Sequence, residues 1–426
     1  MSTGNVEKMD KTAIKVTVAI VLAMIVDGLD LQVLSLALPS ITKELKLSPI
    51  VAGALGTCTL LGMGIGGVCA GWLADRAGRV RVTWWSILIF TICTGAIGFS
   101  QEYWQIAAAR FVSGLGLGAV FVIGSLLVSE YVPTRIRNTV LSIVIAGWSM
   151  GYVIAALASS FISPTWGWRA TFIVAVIPGI ICLFVMNGLS DPPSWRSSRE
   201  AVREAGKRGK KQNNEFAMIW SDNKVRRNFI LWSITAFALQ YGYYGANTWL
   251  PSYLVKELGV NLKNMGWYLA ASYSMGIFSK PVVGWLGDRF GRRPMWIITG
   301  LAIASAIPLI IKTATPSNVA YLLLIFGGLY GALYAIFATY MSESFPTSVR
   351  GTAMATSYNF GRIGAMISPM FIGWTATNYS IGAGIMTCGI SYLICALLPG
   401  IYIKQKIYDP KEVVACNAIL VDAEAA

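Results

Sequence analysis

Gly71-Trp72-Leu73-Ala74-Asp75-Arg76-Ala77-Gly78-Arg79 returns later in the chain as Gly284-Trp285-Leu286-Gly287-Asp288-Arg289-Phe290-Gly291-Arg292. A second string, Ser129-Glu130-Tyr131-Val132-Pro133-Thr134 with Arg137, returns as Ser342-Glu343-Ser344-Phe345-Pro346-Thr347 with Arg350. Both copies lie 213 positions downstream, half of the 426-residue length. Two unrelated strings sharing one offset mark a duplication. The chain reads as two halves of one design.

What fills each half is apolar. Hydrophobic residues make up 55% of the chain and charged ones only 13%, against about a quarter charged in a soluble domain. That balance excludes disorder, a disulfide scaffold and an ordinary soluble enzyme. A helix crosses a bilayer core with about 20 apolar residues. Runs of that length occur near 15–37, 50–74, 82–99, 106–129, 139–162 and 168–188, then near 229–255, 265–287, 294–311, 318–341, 352–376 and 381–403. The first run is too long for a signal peptide, lacks a credible cleavage site and is expected to remain in the mature protein. Six crossings return a chain to its starting side, so the halves share one orientation. The expected architecture is an all-α integral membrane protein of twelve transmembrane helices in two pseudo-symmetric six-helix bundles. Its boundaries are an N-terminal bundle over 1–188, a basic linker over 189–227, a C-terminal bundle over 228–405 and a tail over 406–426. Parallel repeats of this kind place a substrate site between the halves, near the midplane.

The charges fix an orientation. The net charge of +14 falls in short bursts between apolar runs rather than over a folded domain, which argues against nucleic acid as a partner. Of 34 Lys and Arg, 25 lie at the termini and in the loops on their side, six in the opposite loops, and Arg110, Lys280 and Arg362 within spans. Both termini are therefore expected to be cytoplasmic. The linker carries ten Lys/Arg and five Asp/Glu and reads as a solvated cytoplasmic segment. With no His in the chain, His-dependent metal sites and catalytic triads cannot be built. No metal and no cofactor are expected. Six of seven cysteines sit in apolar runs and read as small core hydrophobes.

The polar residues inside the spans carry the chemistry. Asp27 and Asp30 are three apart and share a helix face. Two carboxylates at that depth must be buried, paired or protonated, and they titrate as a coupled pair. Without His, a carboxylate must carry any proton. Arg110 in span 4 lies at a depth like that of Asp30, so the two can pair, either for coupling or as a static brace. Arg362, ten residues into span 11 beside Asn359, needs a counter-anion. Its own span offers none, which leaves Asp27, Asp30 or an incoming carboxylate held bidentately. The offset maps Asp27 and Asp30 onto Gln240 and Tyr243, in a span reading Gln240-Tyr241-Gly242-Tyr243-Tyr244-Gly245-Ala246-Asn247. One half offers acids, the other stacking faces and hydrogen-bond donors. Tyr330 and Tyr334, at i and i+4 in span 10, add an aromatic face. Gln240, Tyr241, Tyr244, Asn247, Tyr330, Tyr334, Asn359 and Arg362 together suit a pocket for a planar acid. Lys280, one turn before Gly284, reads as a structural residue able to reach the interface. Gly114-Leu115-Gly116-Leu117-Gly118-Ala119 satisfies a dinucleotide-binding pattern, but no strand precedes it. Its glycines, with Gly62, Gly66, Gly67, Gly71, Gly147 and Gly151, read as close helix contacts.

The doubled Gly-x-Leu-x-Asp-Arg-x-Gly-Arg loop resembles the signature of the major facilitator superfamily, over the whole chain. A narrower resemblance, in Asp27-Gly28-Leu29-Asp30, Trp249-Leu250-Pro251-Ser252-Tyr253 and Gly361-Arg362-Ile363-Gly364, is to the aromatic acid:proton symporter group. It implies proton-coupled import of benzoates, hydroxybenzoates or muconate across the plasma (inner) membrane, by a monomer, with Asp27, Asp30 and Arg110 in proton coupling. In such a transporter Asp75, Arg76, Arg79, Glu130 and Arg137, with their counterparts Asp288, Arg289, Arg292, Glu343 and Arg350, are expected to form cytoplasmic gating networks that bias one conformation. A sialic acid or sugar proton symporter is the alternative. Drug efflux is disfavoured because span 5 lacks the Gly-Pro pair usual in such members of the superfamily. A non-transporting sensor would need an output domain, for which the linker and tail look too small and simple. No nucleophile–base set supports an enzyme.

Overall fold

The structure is a computed structural model that describes residues 10–132, 137–191, 215–346 and 349–403. The described residues are helical, with no strand among them. The helices are α1 (Lys11–Glu44), α2 (Pro49–Ala77), α3 (Arg79–Ile97), α4 (Tyr103–Tyr131), α5 (Arg137–Met186), α6 (Glu215–Ser221) and α7 (Asn223–Lys256). They continue as α8 (Leu262–Phe290), α9 (Arg292–Thr313), α10 (Val319–Tyr330), α11 (Tyr334–Ser342), α12 (Arg350–Asn378) and α13 (Ile381–Tyr402).

These helices account for the twelve expected spans. The 50-residue α5 carries spans 5 and 6, broken at Gly167, where φ is 78°. Span 10 is divided into α10 and α11. With α5 taken as one stretch and α10 with α11 as another, eight stretches are long and apolar enough to cross a membrane by length and composition. The long helices α7, α8 and α12 fall short of that measure, and they carry the polar residues of spans 7, 8 and 11. Large apolar side chains such as Trp72, Ile92, Phe184, Phe278, Leu309 and Ile325 are exposed, as lipid-facing residues of a spanning helix are.

The repeated motif has a geometric reason. Gly78 caps α2 and opens α3 at φ 106°, ψ 140°, and Gly291 does the same between α8 and α9 at φ 100°, ψ 142°. An L side chain rarely adopts that backbone, so the motif requires glycine at both places. In the first copy the Asp191 carboxylate accepts a hydrogen bond from Val80 N at 2.8 Å, which satisfies a donor at the start of α3.

By packing, the chain divides into two compact units. Unit 1 comprises Met1–Lys211, Asn247–Ser274 and Pro369–Ile381; unit 2 comprises Gln212–Ala246, Met275–Ser368 and Gly382–Ala426. The expected boundaries at 188 and 228 follow the repeat, whereas the packing puts one end each of α7, α8 and α12 in unit 1. Within unit 1, α1 lies along α5, and α2 and α3 along α4. Gly62 and Gly66 of α2 face the Phe111 and Leu115 carbonyls of α4, and Gly114 and Gly118 face Thr59 and Met63 in return. A Cβ at any of the four would strike backbone, so the nucleotide-like glycine run is a helix seam. Gly71 is the exception to the expected set, with open space where its Cβ would be.

Candidate functional site

In unit 1, three donors converge on Asp30. Arg110 Nη1 lies 3.1 Å from Asp30 Oδ2 and 3.2 Å from its carbonyl oxygen. Ser113 Oγ donates to Oδ2 at 3.1 Å, and the Thr94 hydroxyl donates to Oδ1. Arg110 and Asp30 are 0% and 2% exposed. Ser113 follows Arg110 by three residues and so presents the same face of α4. The guanidinium also lies 5.0 Å from the Phe172 ring centre, while its Nε and Nη2 have no hydrogen-bond partner. The pairing left open by the sequence is thus Asp30 with Arg110. Asp27, one turn earlier, is likewise buried.

The same unit holds a second buried polar cluster. Asn247 Nδ2 donates to Gln32 Oε1 at 2.6 Å, and Gln32 Nε2 donates to the Tyr273 hydroxyl at 2.6 Å. Tyr273 donates to Asn247 Oδ1 at 3.2 Å, and Asn247 reaches the Tyr152 hydroxyl at 3.3 Å. The Tyr152 and Tyr273 rings meet edge-on at 5.2 Å. Asn247 and Tyr273 belong to the second repeat, Gln32 and Tyr152 to the first. Around them Gly53 and Gly56 of α2 pack on Pro369 of α12, and Trp249 Nε1 donates to the Pro369 carbonyl at 2.8 Å. The end where α1 turns into α2 is therefore clasped by helices of both repeats.

In unit 2, Arg362 is 8% exposed, lies 5.9 Å from the Tyr358 ring centre and leaves its Nε without a partner. Among the described residues it forms no ion pair. Gln240 Nε2 donates to the Tyr358 carbonyl at 2.8 Å, bracing the turn before Arg362. An aromatic row follows. Phe337 meets Tyr358 at 6.0 Å and Tyr334 at 6.3 Å. Tyr334 meets Tyr243 edge-on at 5.1 Å, and Tyr243 stacks on Tyr330 at 4.4 Å and 10°. Tyr244 packs edge-on against Tyr243 at 5.3 Å. The row depends on the break in span 10. Between α10 and α11 the backbone tightens to i→i+3 bonds, Ala332 N to Leu329 O and Tyr334 N to Gly331 O. Gly327, Gly328 and Gly331 weaken the helix there.

Two expected members sit elsewhere. The Tyr241 hydroxyl bonds Thr387 of α13 at 2.9 Å, on a different face of α7 from Gln240 and Tyr243. Asn359 is exposed and donates to the Ala355 carbonyl of its own helix. Lys280 does not extend towards the loop. Its Cε lies 3.1 Å from where a Cβ on Gly331 would stand, and the Tyr243 ring edge is 3.8 Å from that point.

Of the gating set, Glu343 is buried and paired with Arg292, so the two repeated strings of the second half meet in one ion pair. Arg350 Nε instead donates to the Phe345 carbonyl at 3.2 Å. Arg76 and Arg289 lie over Trp72 and Trp285 of their own helices. Arg79 is half-buried. The side chains of Asp75, Glu130, Arg137 and Asp288 lie outside the described residues, as do 192–214 of the linker and the tail from 404. Thr94, Ser113, Gln32, Tyr152 and Tyr273 were not singled out by the sequence. Gln32 alone gave a signal, an amide inside an apolar run.

The family model described as Major Facilitator Superfamily matches residues 20–362 and 241–415. The chain is similar to a cis,cis-muconate transport protein of Acinetobacter baylyi, at 44% identity over 92% of this chain and 94% of the relative. A gentisate transporter of Corynebacterium glutamicum is 29% identical over 91% of this chain and 87% of the relative. Among solved structures, a D-xylose–proton symporter superposes with a TM-score of 0.76 at 19% identity, covering 92% of this chain and 98% of that one.

Proposed function

The chain belongs to the Major Facilitator Superfamily and is a multi-pass membrane transporter of small molecules, and from that premise we propose that it imports an unsaturated or aromatic carboxylate together with protons. The observation that carries the substrate reading is Arg362. A buried guanidinium beside an aromatic row, engaged by no carboxylate among the described residues, is a site for an anion with a flat body. The names of the muconate and gentisate relatives support the same class. Gln240 sets the backbone under Arg362, and Tyr243, Tyr244, Tyr330 and Tyr334 offer faces to the ligand.

Protons travel through Asp27 and Asp30, the buried carboxylates of the first repeat, with Arg110 as the fixed countercharge of Asp30. The protein works as a monomer in the inner membrane, with both termini in the cytoplasm. The Gln32–Asn247–Tyr273–Tyr152 cluster is the clasp that closes the outer end, which makes Asn247 a gate residue in this reading rather than a ligand residue. Glu343–Arg292, with Asp75, Arg79, Glu130, Arg137, Asp288 and Arg350, makes up the cytoplasmic networks that engage and release during alternating access.

The test of the anchor is equilibrium binding of benzoate and benzamide to wild type and to Arg362→Gln. Wild type should prefer the acid by tens- to hundreds-fold, since a charge-assisted contact contributes about 1.5–3 kcal/mol. The variant should lose that preference, and Arg362→Lys should fail to restore it, because an ammonium cannot hold a carboxylate bidentately. Equal weakening of both ligands would make Arg362 a structural residue.

A further inference from the structure

We infer that Thr94 is a positioning residue for the proton on Asp30, its hydroxyl facing the carboxylate oxygen that takes the proton up; the inference rests on the reading of Asp30 as a proton carrier. Three observations carry it. The first is how the two oxygens are held. Oδ2 accepts from Arg110 Nη1 and from Ser113 Oγ, each at 3.1 Å, and both donors stand on α4. Oδ1 accepts from the Thr94 hydroxyl on α3. The guanidinium reaches the carboxylate through one nitrogen, whose other contact is the Asp30 carbonyl at 3.2 Å. A carboxylate oxygen has two lone pairs. Among the described residues, Oδ2 has both engaged, while Oδ1 has one engaged and no cation bonded to it. Oδ1 is the oxygen where an arriving proton displaces nothing.

The second observation is the direction of the Thr94 hydroxyl. A threonine in a helix can return its hydroxyl to the carbonyl four residues back. Thr17, Thr42, Thr59 and Thr83 of the same unit do so, to Ala13, Leu38, Leu55 and Arg79. Thr94 crosses to α1 instead. Its helix is closely fitted there. A Cβ on Gly95 would stand 2.9 Å from the Val176 side chain of α5, and one on Gly116 of α4 would stand 2.5 Å from the Ser86 carbonyl of α3.

The third is the chemistry of the partners. Arginine only donates, whereas a hydroxyl both donates and accepts. With Asp30 ionised, Thr94 donates to Oδ1. Once Oδ1 binds a proton, the acid O–H donates to the threonine oxygen, whose own hydrogen turns to the Phe90 carbonyl. Threonine gives up no hydrogen, Oδ2 keeps its two bonds from α4, and the guanidinium stays charged. Ser113 is also a hydroxyl, but it shares its oxygen with Arg110. The charged and titratable groups around the carboxylate are Arg110 on α4, Cys93 on α3 and Asp27 one turn earlier on α1. From α5 comes the Phe172 ring, against the guanidinium.

The experiment is infrared titration of the Asp30 carboxylic acid band in the purified full-length protein, the band being assigned by its loss in Asp30→Asn. A bond donated to a carboxylate is stronger than one accepted from its acid. Thr94→Val, which keeps the shape and removes the hydroxyl, should therefore move the midpoint up by about one pH unit. Thr94→Ala should shift it in the same direction, and Thr94→Ser should return it to the wild-type value. A wild-type midpoint in both hydroxyl-free variants overturns the assignment. So does a shift that Thr94→Ser fails to reverse, or a midpoint that moves in Ser113→Ala alone. The underlying reading is scored separately: a wild type in which Asp30 does not titrate removes both, whereas titration with an unmoved midpoint removes the role of Thr94 only.

Discussion

Asp30 and Arg110 show what a single pair does in a membrane helix bundle. Each is removed from solvent, and the carboxylate is held by Arg110, Ser113 and Thr94 together. Breaking such a pair from one side leaves a buried charge uncompensated, at a cost of about 3–5 kcal/mol, whereas removing both partners is far milder. Asp30→Asn should therefore lower the melting temperature of the purified protein more than the Asp30→Asn, Arg110→Gln double variant does. Additive losses would mean that the pair is not coupled in the folded protein. The charges of this site were legible from sequence because a charge inside an apolar run has few explanations. Its hydroxyl partners were not. A Ser or Thr in a helix bonds its own preceding turn just as readily, as Thr59 does with the Leu55 carbonyl and Ser233 with Phe229. Which hydroxyl faces a charge is decided by packing between helices, and the sequence does not state that packing.

Among elements, the helices that stand out are those whose sequences are least apolar. α7 carries Gln240 into one unit and Asn247 into the other, seven residues and about two turns along. Asn247 is bonded to Gln32, Tyr152 and Tyr273, so its removal takes a hydrogen bond from buried polar atoms of both repeats. Such a loss costs about 1–3 kcal/mol, enough to shift a two-state equilibrium by roughly five- to 150-fold. Asn247→Ala should therefore populate an opened form of the α1–α2 end. Spin labels at Lys46 and Lys263, in the loops at that end, should report an added longer distance in the variant. An unchanged distance distribution would remove the clasp from the gating scheme. The existence of these elements was readable from hydrophobic run length, and the turn at Gly78 and Gly291 from the doubled motif. The break in span 10 was not, because Gly327, Gly328 and Gly331 sit inside an otherwise continuous apolar run. Glycine in a spanning helix marks a seam as often as a break, as α2 and α4 demonstrate.

For the whole molecule, the duplication separates two tasks. The first repeat keeps its acids, at Asp27 and Asp30; the second replaces them with Gln240 and Tyr243 and adds two cations, at Lys280 and Arg362. On the proposed reading, protons act on the first half and an organic anion on the second. The sequence made that division visible through the 213-residue offset, whereas the clasp, built from residues of both repeats, has no counterpart in either half alone. The central claim is that this division drives accumulation of a carboxylate. Its most direct measurement is uptake into proteoliposomes under an inward proton gradient, with labelled cis,cis-muconate and labelled xylose side by side. The acid should accumulate above its external concentration, a protonophore should abolish that accumulation, and the Asp27→Asn, Asp30→Asn variant should fail to accumulate while still inserting. Xylose entering while the acid does not, or full accumulation by the double variant, would contradict the account.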